Sequence, residues 1–245
     1  MKIAEVKNVI LEGLRPFAEM NGYRINKGRF GIFSKENNPK SSIDFVHHTW
    51  DFFVEIIPFV CVKFKDIHEI CELCGFNLNY TVYIRLLMLE EIQKHGWYKS
   101  LIGKMQIEQT DRLSLIDYDS WVEDYRKKYP KARDLIIYTG SDDWIERCNE
   151  RIGSLLPCAE DFINKYSTIE SIDKLYNELP IRRNPYCMGW ADHSMIGIIS
   201  AKLAHNPEYD KIKDTYIRIV KKQTYSEDFR QSFYRAIDYL EKAGV

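Results

Sequence analysis

Between Ile43 and Phe64 the chain reads IDFVHHTWDFFVEIIPFVCVKF, twenty-two residues dense in strand formers and without a glycine. As one strand this run would stretch about 73 Å. A compact chain of this length has a diameter of about 45 Å. The run must therefore fold back or bend. Its most polar stretch is His47-His48-Thr49, with Asp51 just beyond. A hairpin or sharp bend is expected there, with these residues near its apex. Pro58 cannot donate to a ladder, so the second strand is expected at an edge or bulged at that point.

Around this run the pattern is α+β: an N-terminal helix and an antiparallel sheet, followed by an all-helical C-terminal region. Ile3, Val6, Ile10, Leu14 and Phe17 recur at helical spacing, with Pro16 disturbing the last turn and Asn21-Gly22 as the stop. Tyr23 to Ser34 reads as a strand, and Lys65 to Cys74 as a short helix. Residues 79–95 fit a longer helix, although the β-rich start YTVYI leaves a strand open for 80–92. Further strands are expected within 104–117 and at Leu135–Tyr138, with Asp119 capping a helix through Tyr129.

From Ser141 the signals turn helical. One helix carries Ile145, Cys148, Ile152, Leu155 and Phe162, kinked at Pro157. Ser167 and Glu170 have capping-box spacing ahead of Ile169, Ile172, Leu175 and Leu179. Asp192, Asn206-Pro207 and Ser226 each mark a later helix start. The organisation reads as residues 1–140 with the sheet and 141–245 helical, either as two regions or as one continuous domain.

Charge narrows the partners. With 35 basic and 36 acidic side chains the formal net charge is -1, so no global field draws nucleic acid or an anionic membrane. No apolar run approaches the roughly 20 residues that span a bilayer, and the first residues lack a signal-peptide pattern. A cytoplasmic location is expected, with the six cysteines mostly reduced and no disulfide framework.

Gly22-Tyr23, the VEIIPF segment at 54–59 and Leu155-Leu156-Pro157 with the following AEDFINKY resemble a family of uncharacterised bacterial proteins. The resemblance implies only a fold, since that family has no assigned chemistry.

Four clusters could carry chemistry. His47, His48 and Asp51 could form an acid–base or metal group; adjacent strand residues point to opposite faces, so convergence needs a turn, and a polar turn is the simpler account. His68, Cys71 and Cys74 offer zinc-type ligands at i, i+3 and i+6. On a helix these fan apart, and no second cysteine pair completes a tetrahedron, so packing explains them better. Asp117 and Asp119 suggest a two-carboxylate metal pattern, but Asp119 is more simply a helix cap, and Asp142-Asp143 suit a helix start. The fourth is the loop PIRRNPYCMGW, where Arg182 and Arg183 with Tyr186 and Trp190 precede the Asp192 helix. Two guanidiniums near a helix start suit a phosphate, a carboxylate or an acidic protein surface, and arginine and tryptophan dominate interface hot spots.

Walker A, GxGxxG, GxSxG, HExxH and the kinase motifs are absent. The expectation is an intracellular, non-catalytic protein-interaction module of adaptor or immunity type, with no cofactor and a protein partner. The alternative is a small hydrolase or transferase with its site at His47, His48 and Asp51.

Overall fold

A computed structural model describes residues 3–34, 38–49, 53–86, 89, 135–138, 144–180, 186–187, 189 and 190–242. The chain is α+β, as its sequence leads one to expect, and divides into two compact units that interleave along the sequence. The first takes residues 1–36, 41–61 and 84–163; the second takes 37–40, 62–83 and 164–245. The expectations at 104–117, at Asp119 to Tyr129 and at Ser141 lie outside the described residues.

The first unit opens with α1 (Ile3–Gly13) and α2 (Arg15–Met20), separated where Pro16 enters the first turn of α2. Val6, Ile10, Leu11 and Leu14 are buried. Gly22, at φ 71°, ends the helical segment in a conformation that costs glycine little. Tyr23 to Ser34 is not one strand. It is a hairpin of β1 (Tyr23–Asn26) and β2 (Gly31–Ser34), antiparallel, with Tyr23 opposite Ser34 and Asn26 opposite Gly31. The Asn26 side-chain oxygen accepts the Arg29 N–H at 3.1 Å, and Phe30 adopts φ 50° to complete the reversal.

β3 (Lys40–Thr49) pairs antiparallel with β2, setting the fully buried Ile32 opposite the fully buried Ile43. β4 (Phe53–Lys63) lies beside β3, so the long run does fold back on itself. β5 (Val82–Arg85) adjoins β4, and β6 (Leu135–Tyr138) pairs antiparallel with residues 53–56 of β4. The sheet order is β1-β2-β3-β4-β5, with β6 also on β4. Pro58 sits within β4, which has neighbours on both sides, rather than on an outer strand. At 82–85 the strand wins over the helix because Val82 and Ile84 are buried while Tyr83 and Arg85 are half-buried, a period of two.

α3 (Lys65–Leu73) belongs to the second unit and ends with Gly75 at φ 80°. The Phe76 N–H reaches the Cys71 carbonyl at 2.8 Å and the Gly75 N–H the Glu72 carbonyl at 2.9 Å, the two bonds of a Schellman motif. α4 (Trp144–Lys165) carries Pro157 inside it and buries Ile152, Leu155 and Phe162, while Ile145, expected on the same stripe, is 43% exposed.

α5 (Ile169–Asn177) starts one residue later than the Ser167/Glu170 spacing suggests. Thr168 caps it through a reciprocal box with Ser171. That shift turns Ile172, Asp173 and Tyr176 inward and leaves Leu179 46% exposed. α6 (Trp190–Leu203) follows, with Gly189 rather than Asp192 as its cap, so Asp192 lies in the first turn. Every residue from His193 to Ala201 is buried. A helix buried all round needs partners all round, and α3, α5, α7 (Tyr209–Lys222) and α8 (Glu227–Lys242) supply them. Asn206 caps the turn ahead of α7 by accepting the Glu208 N–H at 2.8 Å, and Ser226 caps α8 through the Phe229 N–H at 3.3 Å.

α6 ends in the same motif as α3, with the Asn206 N–H on the Ala201 carbonyl at 2.9 Å and the His205 N–H on the Lys202 carbonyl at 3.0 Å. Here the left-handed position, φ 50°, is held by an exposed histidine instead of glycine. A Cβ in that region is strained. His205→Gly should therefore raise stability by about 0.5–1 kcal/mol, read as a higher urea midpoint. An unchanged or lower midpoint would mean that the histidine ring compensates for the strain.

Candidate functional site

The histidine pair of the long run stays in the ladder. His47 is half-buried on β3 with its ring edge-on to Phe30 at 6.2 Å, and His48 is the next residue of the same strand. β3 ends at Thr49 and β4 starts at Phe53, so the pair lies on β3 close to the reversal, as expected, while remaining part of the strand. The aromatic contact to Phe30 gives His47 a packing role within the sheet. Asp51 lies outside the described residues, as do Asp117, Asp119 and Asp142-Asp143.

His68, Cys71 and Cys74 all turn into the second unit, with relative exposures of 9%, 0% and 3%. No group of three or more His, Cys, Asp or Glu side chains able to hold a metal occurs among the described residues. Burial sets their chemistry. It lowers the His68 pKa to about 4, helped by nearby Lys63 and opposed by a hydrogen bond with the Leu78 backbone. The Cys71 thiol is pushed far up by burial, then by Cys74 and Asp192, and Cys74 is raised by burial against the opposing Arg235. Both thiols stay protonated, whereas the thiolate is the ligand and the nucleophile.

In the arginine loop, Arg182 and Arg183 lie outside the described residues. Of its two described aromatics, Tyr186 is buried and Trp190 is half-buried. Tyr186 is 5% exposed, packs on Tyr166 at 5.7 Å, and gives its carbonyl to the Tyr83 N–H at 2.9 Å. Trp190 is half-buried, edge-on to His193 at 5.5 Å, and its buried Nε1 has no hydrogen-bond partner.

What the sequence did not single out is the group into which Trp190 leads. His193, 1% exposed, places Nε2 3.2 Å from the Pro180 carbonyl and 3.4 Å from Tyr216 Oη. Tyr216 Oη donates to the Tyr176 carbonyl at 3.1 Å, and Tyr176 Oη donates to the Thr81 carbonyl at 2.6 Å. A carbonyl only accepts, so Nε2 carries the hydrogen that faces Pro180. Burial raises the pKa of both tyrosines, keeping them neutral. Beside them Asp173 accepts from Asn177 and Asn206 amides, each at 2.7 Å. Most of these polar atoms are paired at depth, where an unsatisfied one costs about 1–3 kcal/mol; the buried Asn177 Oδ1 has no hydrogen-bond partner. The bonds tie α5, α6 and α7 together. The available signal was α6 itself: Met195 to Ile199 is apolar throughout, which points to a helix buried on all sides and to an interior place for the nearby His193.

Outward-facing arginine and tyrosine meet on α8. Glu227, Arg230, Gln231, Tyr234, Arg235 and Asp238 line a shallow depression of about 530 Å³, with Tyr234 38% exposed. Arg230 donates to the Gln223 carbonyl at 3.1 Å and Arg235 to Ser232 Oγ at 3.2 Å, so both guanidiniums are partly ordered in place. Arginine and tyrosine are the side chains that most often dominate interfaces, and ordering before contact lowers the entropy lost on binding.

No family model matches the chain, and neither a curated protein nor a solved structure matches it significantly.

Proposed function

We propose that the chain is a non-catalytic protein-interaction module, adaptor- or immunity-like, that works in the cytoplasm and engages its partner through the outer face of α8. One observation carries this reading. The buried imidazoles and thiols of the second unit are committed to packing, while Arg230, Tyr234 and Arg235 gather around an open depression. No described helix is long and apolar enough to cross a membrane.

The test is quantitative affinity capture from native cells with wild type, Tyr234→Ala/Gln231→Ala, and a Lys211→Ala control on α7. Loss of an exposed tyrosine anchor should weaken partner binding by about 2 kcal/mol, near thirty-fold, with the fold unchanged. A partner retained equally by all three proteins excludes α8 as its docking face.

A further inference from the structure

The first unit holds a second feature, independent of the α8 face. β1 ends the sheet, paired with β2 alone among the described residues. Alternate residues of such an outer strand direct their N–H and C=O away from the sheet. Between that edge and α2 runs a groove of about 490 Å³. One wall is the face of α2 that carries Arg15 and Glu19, with the 2%-exposed Ala18 beneath; the other is Tyr23 to Ile25 with Lys27. The Phe17 ring stacks on Tyr23 at 5.8 Å and holds the two walls in register.

From these features we infer that the groove accepts an acidic, extended segment of a partner protein, added to the sheet as a strand beside β1. A helix facing a sheet edge across a groove is the arrangement in which peptide strands add: backbone bonds supply affinity and alternate side chains supply selectivity. The charge decides the occupant. Arg15 is bound at 2.7 and 2.8 Å by both carboxylate oxygens of Glu12, and Glu19 on the same wall offsets one of the remaining cations, so a single surplus positive charge is left, shared by the exposed Arg24 and Lys27. A second copy of β1 would bring those same cations against themselves, and like charges opposite one another destabilise a strand pair. An acidic segment gains from them.

The experiment uses the full chain, labelled with nitrogen-15, and three eight-residue peptides: alternating Thr-Glu, Thr-Ser and Thr-Lys. The acidic peptide should shift amides within 15–27 and bind at least ten-fold more tightly than the neutral one, with the advantage shrinking as salt is raised. Arg24→Glu/Lys27→Glu should reverse the preference towards the lysine peptide. Tyr234→Ala should leave peptide binding intact, which separates this groove from the α8 reading. The inference is overturned if the acidic peptide leaves residues 15–27 unmoved, if the basic peptide binds as well, or if the same amides shift through self-association of the chain.

Discussion

Replacing Gly197 by alanine should destabilise the second unit by about 2 kcal/mol, although alanine is the better helix former by about 1 kcal/mol. The two effects oppose each other, so the sign of the result is informative. Gly197 lies at the middle of α6, and a Cβ built there would fall on Tyr216 Oη and Cζ and within 2.7 Å of Cε2. The ring has nowhere to retreat. Tyr216 is fully buried, donates to the Tyr176 carbonyl and touches His193. Overpacking a core costs about 1–3 kcal/mol, and a ring fixed by a hydrogen bond belongs at the upper end of that range. Tyr216→Phe cannot rescue the variant, because the ring carbons still occupy the space. Tyr216→Leu should: the double variant should lose clearly less than the sum of the single losses. Urea midpoints at constant m measure all four proteins. A Gly197→Ala protein as stable as wild type would show that α6 and α7 can move apart cheaply.

Features set by chain length and local spacing were legible in the sequence, and those set by particular tertiary contacts were not. The fold-back of the 43–64 run was legible because it follows from length against diameter, and no tertiary detail is needed. Its turning point was legible to within a few residues, since β3 ends at Thr49 and β4 starts at Phe53; the packing of His47 on Phe30, which keeps that residue in the strand, was not. The β1–β2 hairpin was hidden because its turn is made by an Asn26 side-chain bond and a left-handed Phe30, not by the usual glycine pair. The start of α5 slipped by one residue for a similar reason: Ser171 completes a box with Thr168 as well as a glutamate would with Ser167. At the level of sites, composition and spacing pointed to the aromatics of the 180–190 loop, and packing turned Tyr186 inward. On α8 the helical spacing of Phe229, Phe233 and Leu240 already marks the buried stripe and leaves Tyr234 off it; what the spacing does not show is that Arg230 and Arg235 gather beside Tyr234 around one depression.

Acid should expose the consequence of burying His68. Its pKa falls from 6.5 to about 4, first because burial penalises the charged ring and then because Lys63 repels it. Between those values the unfolded chain holds a proton that the folded chain refuses, so stability is fully present above pH 6.5 and falls as the pH drops towards 4. At about 1.4 kcal/mol per pH unit the complete loss is roughly 3 kcal/mol, reduced to about 2 kcal/mol at pH 4.5 by incomplete titration and solvent screening. The imidazole has no relief available in place: its Nε2 is buried without a hydrogen-bond partner. His68→Leu removes the titrating group while keeping an apolar body of similar size. It gives up the bond to the Leu78 backbone, so its stability at pH 7.5 should be somewhat lower than that of wild type. Its further loss on going to pH 4.5, however, should be about 2 kcal/mol smaller, because the carboxylates that titrate in both proteins cancel in the comparison. Urea unfolding of both proteins at the two pH values measures the difference. Equal losses would place the acid sensitivity elsewhere and make His68 an ordinary packing residue.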